Sequence, residues 1–184
     1  MPSLLNDFTT TQIAGLSTTQ IQTLSASDIA GLTTTTLGYL STTQVVALTN
    51  AQIVALTTAQ LVALTVDQAE ALTTAQLVAL GTTNIGVLET ADIAVLTTAQ
   101  VAALTTAQVV ALTSAQIGGL TVTQIAAFSS AQIGAIETAD ITALGVTGIG
   151  GIELADIVGV TTSQIAAMTT AQVVAFSEDQ YNAM

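Results

Sequence analysis

The sequence contains no lysine, arginine, histidine, cysteine or tryptophan, and one proline, Pro2. Without Lys and Arg nothing neutralises phosphate oxygens, which excludes nucleic acid as a partner. All 12 charged side chains are acidic, giving a net charge of −12, and an anionic membrane surface repels such a chain. Without Cys there is no disulfide and no thiol nucleophile. The hydroxyls of Ser and Thr have no His or Lys base to activate them, so the expectation is a protein that is not an enzyme. The missing Lys and Arg also remove every trypsin site, which suits life outside the cell. Apolar residues make up 51% of the chain, yet Thr and Gln interrupt every would-be run of 18, and no transmembrane helix is expected. The opening MPSLLNDFTT has neither a positive stretch nor a long apolar one, so no cleaved secretory signal is expected.

What is present is a repeat. LTTAQLVAL stands at 56–64 and again at 72–80. The period is eight, and it runs without insertion from Phe8 to Met184. Every position divisible by eight holds Leu, Phe, Ile, Val or Met. The next residue is Thr or Ser in 17 of 22 octads, the exceptions being Gly81, Glu89, Glu137, Gly145 and Glu153. The fourth place is Gln in 15 octads and Asp in four. The fifth is Ile, Leu or Val in 20, with Ala69 and Tyr181 as exceptions.

A single continuous helix does not fit, because eight residues at about 100° each overshoot two turns by about 80° and the leucine stripe would spiral into water. Strands do not fit either, since odd and even places both mix apolar with polar residues. A short helix restarted in every octad does fit. With Thr73 as N-cap, its hydroxyl accepts the Gln76 N–H while the Gln76 side chain accepts the Thr73 N–H, and Leu72 and Leu77 form a hydrophobic staple. One octad is too small to fold alone: two buried aliphatic side chains yield about 3–6 kcal/mol against about 8–16 kcal/mol of backbone entropy. Stability must come from stacking neighbours.

A second period lies inside the first. Gly38, Gly86, Gly118, Gly134 and Gly150 occupy the sixth place at multiples of 16, and so do Val46, Val62, Val78, Val110, Val158 and Val174; Val54 breaks the parity. Two octads per coil preserve this parity, and four would also. The favoured reading is an all-α solenoid with two unlike helices per 16-residue coil. It forms a single repeat domain over 1–184, with a cap at 1–8, repeats over 9–176 and a polar terminal octad at 177–184. The valines belong either to the core or to a flank that packs side by side or end to end with other copies.

Three acidic pairs carry what chemistry there is: Glu89/Asp92, Glu137/Asp140 and Glu153/Asp156. On a 16-residue coil the last two pairs would stack, and oxygen-only ligands suit Ca²⁺. The plainer reading is acids placed at helix starts, where the dipole favours them. Thr74, Thr90 and Thr106 would form a ladder on the same coil, of the kind seen on ice-binding surfaces; their plainer role is in the first helical turn. No catalytic, cofactor or metal residue is assigned.

The LTTAQLVAL-type octads, from Thr9 to Met184, resemble the Thr/Ala/Gln/Leu repeat regions of large bacterial extracellular proteins, especially type-I-secreted surface and adhesin-like proteins. The resemblance implies export without a cleaved signal and a place at the cell surface or in a matrix. The Gly/Asp-rich nonapeptides that often accompany such regions are missing. Together these readings predict a rigid, self-associating rod or fibre element. The alternative is a binding module that grips calcium, a glycan or ice through its carboxylates or threonines.

Overall fold

A computed structural model describes residues 4–184. Among the described residues the chain is helical throughout, with no strand, and nearly every octad carries one short helix. The chain divides into two compact units, Met1–Val95 and Leu96–Met184. Of the expected cap at 1–8, residues 1–3 lie outside the described residues, and Leu4–Asp7 is a single 3-10 turn. The last octad is a repeat like the others: Ser177 caps the helix Glu178–Ala183.

The capping box is the local device that starts each helix. In the helix Thr58–Val62, Thr57 has extended backbone at φ −75°, ψ 159°, its hydroxyl accepts the Gln60 N–H at 3.3 Å, and Gln60 Oε1 accepts the Thr57 N–H at 2.8 Å. Helices end without proline, and many end without glycine, although Gly15, Gly31, Gly86 and Gly119 are C-caps. The eighth residue turns extended, as at Leu48 (φ −60°, ψ 134°), while its N–H still reaches the fifth residue's carbonyl, Val45, at 3.1 Å. The next Thr is thereby delivered in the conformation an N-cap needs.

Burial follows the octad. The fifth and eighth places form the core: Ile53, Leu61, Leu77, Ile93 and Ile133 are all fully buried, and Leu56, Leu72, Leu88 and Leu96 nearly so. The first three places and the sixth are largely exposed. The sixth-place valines are therefore surface residues, exposed from 40% at Val78 to 74% at Val174. That removes the reading in which they fill the core.

The coil is longer than 16 residues. Within each unit, packed helices lie three octads apart: Thr18–Thr23 on Thr42–Ala47, Thr42–Ala47 on Val66–Ala71, and Thr106–Val110 on Ser130–Ala135. Side-chain clamps span four octads. Gln60 Nε2 donates to the carbonyls of Ile29 and Leu32, 31 and 28 residues earlier, at 2.8 and 2.9 Å. Each octad thus touches those three and four places away, as residues do in an α-helix. A turn of the solenoid holds three to four octads, not two. The parity that suggested 16 survives because a four-octad clamp joins octads of like parity.

Candidate functional site

The most elaborate polar construction in the molecule is the ladder of fourth-place glutamines. From Gln44 onward the carboxamide does two things. Its oxygen closes the capping box of its own octad. Its nitrogen donates to backbone carbonyls four octads back, typically those of the fifth and eighth places. Gln44 reaches Ile13 and Leu16 at 2.7 and 2.9 Å, and Gln68 reaches Leu37 and Leu40 at 3.0 and 2.8 Å. In the second unit Gln132 holds Val101 and Leu104 at 3.0 and 2.8 Å, and Gln164 holds Ile133 and Ile136, both at 2.8 Å. These glutamines are buried, and among the described residues no buried side-chain polar atom lacks a partner. Capping alone needs only an acceptor, which Glu supplies as well as Gln. Glu never occurs at this place in the sequence. That preference for the amide is the signal that reading the box by itself passes over.

The three acidic pairs do not form carboxylate clusters. The glutamates Glu89, Glu137 and Glu153 are exposed, whereas Asp92 is 2% exposed and Asp140 is 7% exposed. In the first two pairs the Glu is exposed and the Asp buried; in the third the Asp is half-buried. The 16-residue stacking that would gather Glu137, Asp140, Glu153 and Asp156 is not the stacking of this fold. Among the described residues no three carboxylates come together at a distance that could hold a metal ion. Thr74, Thr90 and Thr106 are exposed, but octads two apart are not the ones in contact, so the 16-residue threonine ladder is not built either.

Each Asp at the clamp position solves the loss of the amide in its own way. Asp140 Oδ1 accepts the Ser114 hydroxyl, and Asp156 Oδ1 accepts the Ser130 N–H at 2.7 Å. Asp92 accepts the Glu89 N–H at 3.2 Å. Burial pushes the Asp92 carboxyl above the usual carboxylate range, opposed by that N–H. Asp28, by contrast, is held below the usual range by the Ser25 hydroxyl first and the Ser25 N–H second.

A groove of about 450 Å³ runs beside Val110, Gly134, Glu137, Thr138 and Gln164. It offers one exposed carboxylate and a few hydroxyls, with no base, nucleophile or cation.

Fold and sites together define a tandem-repeat protein whose polar groups are committed to holding repeat against repeat. The ALTTAQ-repeat family model matches residues 24–58, 53–82, 85–122 and 149–184. These matches cover well over half of the chain, which belongs to the ALTTAQ-repeat family. Neither the curated proteins nor the solved structures give a match to it.

Proposed function

We propose that this chain is a non-catalytic structural protein that works by associating with further copies of itself, as a fibre or matrix element at the bacterial cell surface. The observation that carries this reading is the exposed sixth-place valine set: Val46, Val54, Val62, Val78, Val110, Val158 and Val174. Apolar side chains repeated on a surface with little charge favour burial against a partner. The chemistry left over for catalysis is carboxylate and hydroxyl alone, which supports a mechanical role with no cofactor. The resemblance to secreted bacterial repeat regions supports the extracellular setting.

The test is sedimentation velocity with electron microscopy over a range of concentrations. Concentration-dependent growth, reduced by Val62→Ser with Val110→Ser, is the expected result. A monomer at every concentration removes the proposal. The groove beside Glu137 and Thr138 favours a second reading, a module that binds a glycan or calcium; in that case the monomer's melting temperature rises with the ligand and assembly does not occur.

A further inference from the structure

Most of one turn in the second unit is built without the clamp. The clamp positions of octads 137–144, 145–152 and 153–160 hold Asp140, Gly148 and Asp156, none of which carries an amide. A glutamine there would reach the carbonyls of octads 105–128. Those carbonyls keep their local partners, as Val109 keeps the Leu112 N–H at 3.2 Å, but no clamp ties them to the next turn. On either side the row is intact: Gln132 holds Val101 and Leu104, and Gln164 holds Ile133 and Ile136. The same three octads have no side-chain cap, and two of them are 3-10 segments, whose hydrogen bonds are the poorer kind. The ties that remain run three octads back, from Asp140 to Ser114 and from Asp156 to Ser130. The groove of about 450 Å³ lies where the first clamp is missing, with Val110 on one side and Glu137 and Thr138, four octads on, at the other.

We propose that octads 137–160 are a yielding segment, which opens before the rest of its unit and lengthens the chain while the clamped octads hold. A solenoid's stability is a sum over repeats and the interfaces between neighbours, so it parts where that sum is smallest. Octads 121–128 and 129–136 each have a capping box and their own clamp, Gln124 reaching Leu96 at 2.7 Å and Gln132 reaching Leu104 at 2.8 Å. Octads 137–160 have neither. The turn after still holds them, through Gln172 to Ile141 at 3.0 Å and Gln180 to Ile152 at 2.7 Å. Parting therefore begins at the seam with the turn before, along the groove. This is a property of one copy, and it stands whether or not copies assemble.

The experiment is hydrogen–deuterium exchange on the full chain at high dilution, read on matched amides. The eighth-place N–H groups of Ile152 and Val160 bond to Ile149 and Ile157 at 3.2 and 3.0 Å, and those of Phe128 and Ile136 bond to Ile125 and Ile133 at 3.1 and 3.2 Å. The local bonds are alike, so a difference in rate reports how each octad is tied to the turn before. Exchange at Ile152 and Val160 should be faster by about 10-fold or more, the effect of losing two net hydrogen bonds. Asp140→Gln/Asp156→Gln supplies amides at two of the three positions and should slow exchange at Val160 toward that of Ile136. Ser114→Ala removes a remaining tie and should speed exchange at Ile141, a check of opposite sign that holds even where the double variant folds poorly. Single-molecule stretching of the chain should show an early release of up to about 80 Å, the extended length of residues 137–160. Equal protection at the two pairs of amides overturns the proposal, as does early opening that neither variant moves. Stretching without an early release of that size overturns the yielding role.

Discussion

The residues Glu-Thr-Ala-Asp-Ile occur at 89–93 and again at 137–141, and they adopt two structures. The first copy is an α-helix, Thr90–Ala94. The second is a turn leading into the 3-10 segment Ile141–Leu144. The related Glu-Leu-Ala-Asp-Ile at 153–157 also ends in a 3-10 segment, Ile157–Gly159. The cause is not local, because the local letters are the same. Three octads earlier, the 3-10 copies face Ser114 with Gly118, and Ser130 with Gly134, whereas the α copy faces Val66 with Glu70. Ser114 offers Asp140 its hydroxyl, and Ser130 offers Asp156 its backbone N–H, each 26 residues away. The glycines let the backbones close in. A methyl group on Gly118 would sit 3.1 Å from the Ala143 carbonyl, and one on Gly134 would sit 2.9 Å from that of Gly159. Secondary structure in this solenoid is thus decided partly by the octad three places away.

The largest effect expected from this contrast is at Gly159. A Cβ there would fall 2.0 Å from the Ser130 carbonyl, which no side-chain adjustment can relieve. Gly159→Ala should destabilise by about 3 kcal/mol or more, seen as a lower urea midpoint. The counterpart of Gly159 in the α copy is Val95, a full-sized side chain. If Gly159→Ala is neutral, close backbone approach is not what separates the two kinds of octad.

Next comes the serine partner. Ser114→Ala leaves the mostly buried Asp140 without its hydroxyl donor and should cost about 1–3 kcal/mol by the same measurement. The reciprocal change, Val66→Ser, places a hydroxyl opposite Asp92 at an exposed position and should draw the Asp92 carboxyl back toward the ordinary range, as followed by carboxyl NMR titration. An unchanged titration would mean that residue 66 is out of reach. Asp92→Gln goes further by restoring an amide for the carbonyls of Leu61 and Leu64, and should stabilise the fold by about 1–2 kcal/mol.

These contrasts mark what could be read in the letters. The capping box, the eight-residue restart and the buried fifth and eighth places all follow from periodicity and helix-end chemistry, and the structure has them. Coil length does not follow, because Gly118 and Gly134 report only parity, and parity is satisfied by any even number of octads. The second duty of glutamine was open to inference from the absence of Glu at the fourth place. The 3-10 octads were not, since their cause lies 24 or more residues away in Ser114, Ser130 and two glycines. Gly81 shows the same limit from another side. It fills a cap position at φ 70°, a region that L-residues avoid, and it kinks the chain between two helical stretches that lie within Thr74–Ile85.

The smallest effect is the pH dependence that separates Asp92 from Asp28. Burial raises the Asp92 carboxyl, so the folded chain holds this proton more tightly than the unfolded chain does. Stability contributed at this site is therefore full below the ordinary carboxylate value of 3.8 and is lost as pH rises through the raised folded value. Asp28 has the opposite sign: its carboxyl is lowered by Ser25, so its contribution is present above the ordinary value and fades as pH falls. Asp92→Asn removes the first dependence and keeps an oxygen for the Glu89 N–H. Compared with wild type in urea titrations from pH 3 to 7, it should gain stability at pH 7 and show no gain at pH 3. A variant that gains equally at both ends would show that the carboxyl's size, not its charge, strains that octad.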